Sequence, residues 1–145
     1  MSQLQITTVS YLTEQAAINS IRVKVFQEEQ GVDPALEFDG EDENAEHLLA
    51  YLDGCPVGTA RIRFLTPQTA KIERLAVLDS ARGKGIGKQL MENAIAVAAQ
   101  NQAKEVIVNA QAYIQALYLQ LGFVAEGELF EEAGIDHVKM RKVLT

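Results

Sequence analysis

Arg82-Gly83-Lys84-Gly85-Ile86-Gly87-Lys88 is the stretch of the sequence best suited to chemistry. Three glycines stand among three cations, with no acid between them. Glycine admits positive φ and lets a ligand come close to the backbone. If a helix follows, its first amides have no internal acceptor and point outward, and the helix dipole adds positive potential there. Such a turn suits an anion, above all a phosphate. Two nucleotide motifs fail on spacing. Gly83-x-Gly85-x-Gly87 is not G-x-G-x-x-G, and a Walker loop needs a Ser or Thr after its Lys, where Gln89 stands. Metal chemistry has little to work with. Cys55, His47 and His137 do not supply zinc ligands at the usual spacings. Asp39–Ala50 fails as a calcium loop, because Asn44 replaces its glycine and Ala50 its bidentate Glu. No metal is expected.

The surrounding chain bounds the options. Its 145 residues are 48% hydrophobic and 23% charged, which fits a single globular domain over 1–145 with a core of its own. A net charge of −7 argues against a nucleic-acid partner. No apolar run approaches the roughly 20 residues of a membrane span. Met1–Ser10 lacks the basic start and apolar stretch of a secretory signal, and the lone Cys55 fits a reducing compartment, so a cytoplasmic location is expected. Nine acids lie between Glu28 and Glu46, while Val25–Ala60 holds no Lys or Arg. They read either as a solvated loop or as a field that attracts cations.

The elements that must position the turn follow from periodicity. Gln3–Val9 alternates as a strand. Ala17, Ile18, Ile21 and Val25 recur at helical spacing after a candidate N-cap, Thr13, in a helix ending near Gly31. Asp33-Pro34 opens an acidic loop to about Asn44. His47–Leu52, Val57–Leu65 and Ala70–Val77 form an antiparallel meander with turns at Asp53-Gly54 and Thr66-Pro67-Gln68. Gly85–Gln100 is an amphipathic helix, Glu105–Val108 a buried strand, and Tyr113–Leu121 a helix closed by Gly122. Phe123–Glu128 and His137–Leu144 are final strands around an acidic loop. The order is β, α, βββ, α, β, α, ββ, a mixed α/β domain.

With the turn and this order in place, the chain resembles the GCN5-related N-acetyltransferase (GNAT) superfamily. Arg82-Gly83-Lys84-Gly85-Ile86-Gly87 matches that family's Gln/Arg-x-x-Gly-x-Gly/Ala loop, Ile72–Val77 resembles its fourth strand, and Tyr118-Leu119-Gln120-Leu121-Gly122-Phe123 resembles its Tyr-x-x-x-Gly-Phe element. Val25–Gln30 and Glu132–His137 are similar to a small bacterial subgroup. The resemblance implies a mostly antiparallel twisted sheet with a splayed parallel pair, flanked by helices. It implies acetyl-CoA as cosubstrate, with its pyrophosphate on the amides of Arg82, Gly83, Lys84, Gly85, Ile86, Gly87 and Lys88. The backbone of Leu75, Ala76 and Val77 would meet the pantetheine and thioester. Tyr118 would be the general acid for the leaving thiolate. Gln111 and Ile114 replace the Asn and Ala of many members, and Gln111 keeps the capacity to bind cofactor.

Glu73 is the candidate base. Simple alternation puts it on one face with Leu75 and Val77, where apolar neighbours would raise its pKa. The rival reading is an ion pair with Arg61, Arg63 or Arg74. His137 is a second base candidate, since an unperturbed imidazole titrates near neutrality. Arg22, Glu29, Gln30 and His137 are candidate acceptor contacts. The acids favour a cationic acceptor; Arg22 favours one bearing a carboxylate or phosphate. The expected activity is direct transfer of an acetyl group to a primary amine of a small molecule or peptide, without a covalent enzyme intermediate. An acyl-CoA-binding regulatory module is the alternative. The resemblance also suggests a homodimer.

Overall fold

The computed structural model describes residues 3–144, so the ends of the 1–145 domain reading, and Met1 and Ser2 of the Met1–Ser10 stretch, lie outside the described residues. Its elements are β1 (Leu4–Val9), α1 (Tyr11–Arg22) continued by a π-helical segment (Val23–Glu29), α2 (Pro34–Glu37), β2 (Glu46–Leu52), β3 (Cys55–Thr66), β4 (Thr69–Val77), α3 (Ile86–Gln100), β5 (Glu105–Gln111), α4 (Gln115–Gln120), β6 (Val124–Glu132) and β7 (Ile135–Val143). The seven strands form one sheet in the order β1-β2-β3-β4-β5-β7-β6. Every pairing is antiparallel except β4 with β5. That exception places the site. β4 and β5 pair only over Thr69–Lys71 and Glu105–Ile107, then diverge. Past Lys71, β4 stays with β3 while β5 stays with β7, so the sheet opens into a fork.

Two apolar layers cover the sheet. On one side α3 buries Ile86, Leu90, Met91, Ala94 and Ala98 against Leu48, Ile62 and Ile72. On the other, Ile18, Ile21, Val25 and Phe26 of α1 and its continuation pack on Leu49 and Ala76. Gly58 lets α3 sit close to β3: a Cβ there would meet Leu90 Cδ1 at 2.9 Å. No helix among the described residues is long and apolar enough to cross a membrane.

Several local expectations change. The N-cap of α1 is Ser10, not Thr13, because the backbone leaves the extended region there and gives no side-chain cap. Asp33-Pro34 starts a helix within the expected loop: Asp33 accepts from the Ala35 amide at 2.9 Å and Pro34 takes the first helical position. β5 runs on to Gln111, and the helix expected over Tyr113–Leu121 is a 3₁₀ turn, Ala112–Ile114, followed by α4. The expected acidic loop before His137 is a tight hairpin, with Ala133 and Gly134 both at positive φ. The acids there sit on strands, since β6 is an exposed edge.

The largest correction falls on β4. Arg74 has φ 55°, and the β3–β4 register shifts between Thr59 and Arg61. This bulge breaks strict alternation. Leu75 and Val77 pack on the α3 side, whereas Ala76 joins the α1 side. Glu73, directly opposite Arg61, does not share the face of Leu75 and Val77.

Candidate active site

Past the fork, β4 has no strand beside its β5-facing edge, and the 3₁₀ turn Asp79–Ala81 leads from it to the glycine loop. Gly83 and Gly85 take φ 79° and 75°, and a Cβ on either would meet nothing within 4 Å. Gly85 is the N-cap of α3, so no side chain caps the helix start. The first backbone bond runs from the Gln89 amide to Gly85 O at 3.1 Å. The amides of Ile86, Gly87 and Lys88 therefore have no intrahelical acceptor. Lys84 and Lys88 are exposed beside them, while the Ile86 side chain belongs to the core. A Cβ on Gly87 would lie 3.9 Å from Val77, so the end of β4 abuts the loop. These features form an open, uncapped anion cradle at the mouth of the fork.

Arg82 is engaged. Its Nε donates to Val77 O at 3.0 Å, and its Nη1 and Nη2 reach the Glu29 carboxylate at 2.8 and 2.9 Å. Glu29, expected at the acceptor, instead clasps the loop. Its neighbour Gln30 lines the cavity and accepts from Gln111 Nε2 at 2.9 Å, bridging the fork. The π-helical turn makes this possible: its wider winding keeps Val25 and Phe26 buried while delivering Glu29 and Gln30 to the opening.

The fork holds a cavity of about 330 Å³ lined by Leu75, Gln111, Ile114, Tyr118, Glu73 and His137 among others. Tyr118 is 5% exposed and packs edge-on against Phe123, with ring centroids 5.8 Å apart. Burial, with a smaller contribution from Tyr113, pushes its phenol up to about 12, and no hydrogen bond offsets this. His137 Nδ1–H donates to Ile135 O at 2.7 Å, which leaves Nε2 as the basic nitrogen, 3.6 Å from Glu132.

Two expectations fail here. Arg22 is 1% exposed and does not reach the cavity: it binds Glu37 and reaches Asp42 at 2.6 Å. Glu73 does not have a raised pKa. Burial alone would raise it, but the charge and hydrogen bonds of Arg61, with help from Arg63 and Lys71, hold it below the ordinary carboxylate value. A carboxylate so held is a poor base.

The acidic stretch is divided: Glu28, Asp33, Glu41, Glu43 and Glu46 stay exposed, but three of its acids, besides Glu29, are committed to arginines. Glu37, Asp39 and Asp42 turn inward onto Arg22, Arg61 and Arg74. Arg61, fully buried, binds Asp39 at 2.8 Å, Asp42 at 2.9 Å and Glu73. The hairpin register could have shown part of this, because the Thr66-Pro67-Gln68 turn sets Arg61 opposite Glu73 and Arg63 opposite Lys71. The contribution of Asp42 depends on a loop that no periodicity predicts.

This network has a pH signature. Hydrogen bonding and charge from arginine lower Asp39 and, against burial, Asp42 and Glu73. Burial lowers His47, whose Nε2–H donates to Asp42 O at 2.8 Å. In each case the unfolded chain binds more protons, so stability rises with pH and is lost on acidification. The His47 contribution is whole above its ordinary value of 6.5 and declines below it. The carboxylate contributions decline below about pH 4. Thermal unfolding across pH 3–8 should show both stages, and His47→Gln should remove only the first. A midpoint that rises on acidification would contradict this assignment.

The comparisons with known proteins agree with this architecture. Residues 9–144 match the family model described as the acetyltransferase (GNAT) domain. The chain belongs to the GNAT acetyltransferase family. The uncharacterised N-acetyltransferase YjcF of Bacillus subtilis is 35% identical over 123 residues, 84% of this chain and 87% of its own. The crystal structure of an acyl-CoA N-acyltransferase from Pseudomonas aeruginosa is 34% identical, with a TM-score of 0.84 over 97% of this chain and all of the other. A Bacillus subtilis acetyltransferase in complex with CoA, 22% identical with a TM-score of 0.75, covering 99% of this chain and 100% of its own, shares the GNAT fold.

Proposed function

We propose that this GNAT protein transfers the acetyl group of acetyl-CoA to a primary amine within the fork. The observation that carries the reading is the uncapped start of α3 abutting the end of β4, the strand whose Glu73–Leu75 stretch lines a cavity with Tyr118. The diphosphate of acetyl-CoA suits the amides from Gly83 to Lys88, with Lys84 and Lys88 beside it. The fold neighbour with CoA lends support. The bulged edge of β4 at Leu75 and beyond offers backbone groups that no strand takes up, fitted to an extended amide-bearing arm. Acetyl-CoA supplies an activated acyl carbon on a thiolate leaving group.

The chain's own groups then divide the work. His137 Nε2 accepts a proton from the amine. Tyr118 donates a hydrogen bond to the departing sulfur. A thiol has an ordinary pKa near 8.5, so a phenol at about 12 keeps its proton and stabilises the thiolate rather than protonating it outright. Glu73 stays an anion that holds Arg61 and Arg63 in place.

The reading is tested by titrating the protein with acetyl-CoA and following free thiol with a panel of primary amines. Binding together with amine-dependent thiol release is expected. Binding without release from any amine would favour a regulatory acyl-CoA module. Glu29→Ala should free Arg82 for the diphosphate and tighten acetyl-CoA binding up to about fivefold, since an exposed pair of this kind is worth about 0.2–1 kcal/mol. A weakened affinity would show that Glu29 shapes the cradle instead of competing for it.

A further inference from the structure

The cavity is electrically lopsided. On one wall, the β3–β4 register places Arg63 beside Lys71 and Arg61 beside Glu73. Both Glu73 oxygens are taken: Oε2 by Arg61, and Oε1 by Arg63 Nε at 2.9 Å and Nη2 at 2.8 Å. Among the described residues, the carboxylate near Lys71 Nζ is that same Oε1, at 3.8 Å, and Nζ makes no hydrogen bond to it at that distance. Among the described residues, Arg63 Nη1 pairs loosely with the exposed Glu41, at 3.9 Å. Asp39, which also lines the cavity, is consumed by Arg61 and Arg74. This wall therefore presents cations whose nearby carboxylates are already shared. Across the cavity, the β6–β7 hairpin presents Glu132, half exposed, and the His137 imidazole.

A ligand that matches both walls carries charges of both signs. Resting on the acetyl-transfer reading, we propose that the acceptor is an amine that also bears a carboxylate or phosphate. Its anionic group lies against Arg63 and Lys71 and its nitrogen against Glu132 and His137. Arginine and lysine side by side suit an oxyanion, the first through Nη1, which the Glu73 pair leaves over, and the second as a point charge. Glu132 attracts the ammonium form, and His137 Nε2 takes the proton that frees the nitrogen lone pair. The nitrogen–carbon bond forms as the carbon–sulfur bond breaks, and the electron pair leaves on sulfur beside Tyr118. The second proton lost by nitrogen neutralises that thiolate through solvent. A diamine would instead set a second cation against Lys71, and an alkylamine would leave that wall unmatched.

The test uses matched amines: 4-aminobutyrate, butylamine and 1,4-diaminobutane, with phosphoethanolamine and ethylamine as a second set. Turnover is read as free thiol, and binding to the CoA-saturated protein by calorimetry. At least a tenfold preference in kcat/KM is expected for an anionic amine over its neutral and dicationic counterparts. The two sets distinguish carboxylate from phosphate. Lys71→Glu should reduce that preference at least tenfold and raise the relative rate of the diamine; Lys71→Gln should reduce it without favouring the diamine. Equal or better use of butylamine or diaminobutane by the unmodified protein would overturn the proposal while leaving acetyl transfer intact. If no amine releases thiol, acetyl transfer fails instead and calorimetry decides: tighter binding of the anionic amines, lost in Lys71→Glu, sustains the dipolar cavity, and no preference overturns it.

Discussion

Arg61→Met should destabilise the protein by about 3–5 kcal/mol, the usual cost of removing one partner from a buried ion network. Arg61 is fully buried and binds Asp39, Asp42 and Glu73, so its loss strands carboxylates from two segments of chain at once. Domains of this size have about 5–15 kcal/mol of stability in all, and the variant should unfold at much lower urea than the wild type. Adding Asp42→Asn alone to Arg61→Met, one charge removed for one, should restore part of the loss, because Arg22 keeps Glu37 and one fewer carboxylate is left uncompensated. An unfolding free energy within about 1 kcal/mol of wild type would mean that these groups are wetter than the structure has them.

Tyr118→Phe should lower kcat by about 10²–10³-fold, the range for loss of one well-placed hydrogen-bond donor at a developing anion. The fold should survive. Among the described residues the hydroxyl makes no hydrogen bond, and phenylalanine keeps the edge contact with Phe123. The acetyl-CoA Kd should stay within about twofold, since binding rests on the amides of the glycine loop. The pH profile sharpens the test. With the phenol pushed up to about 12, Tyr118 should give no alkaline fall in kcat below about pH 11. An alkaline limb near pH 9 that vanished in Tyr118→Phe would show a phenol titrating in the ordinary range. Loss of acetyl-CoA binding would show that the ring, not the hydroxyl, is what matters.

Much of the scaffold was legible from residue order. Strand-like runs between the Asp53-Gly54 and Thr66-Pro67-Gln68 turns located the meander, whose central strands are buried on both faces, and the 3.6 period of α3 located the helix that carries the loop. The glycine turn was legible because only glycine tolerates φ 79° and 75° without strain. What escaped depends on tertiary context. Arg74 at φ 55° has no local signature, yet its bulge moves Leu75 and Val77 off the face of Glu73. Arg22 looked like a ligand contact because it lies on the first helix, which the family resemblance set at the edge of the acceptor cleft; here Glu37 and Asp42 fold back to bury it. The π-helical segment is equally silent in the apolar spacing, since Ile18, Ile21 and Val25 are buried either way.

A crystal structure grown in excess acetyl-CoA tests the central claim most directly. The account predicts a diphosphate on the amides of Gly85, Ile86 and Gly87, and a thioester sulfur within hydrogen-bonding reach of the Tyr118 hydroxyl, with Gln30 and Gln111 parted to admit the pantetheine arm. A diphosphate bound elsewhere, or a fork still closed by the Gln30–Gln111 bridge at saturating cofactor, would contradict it.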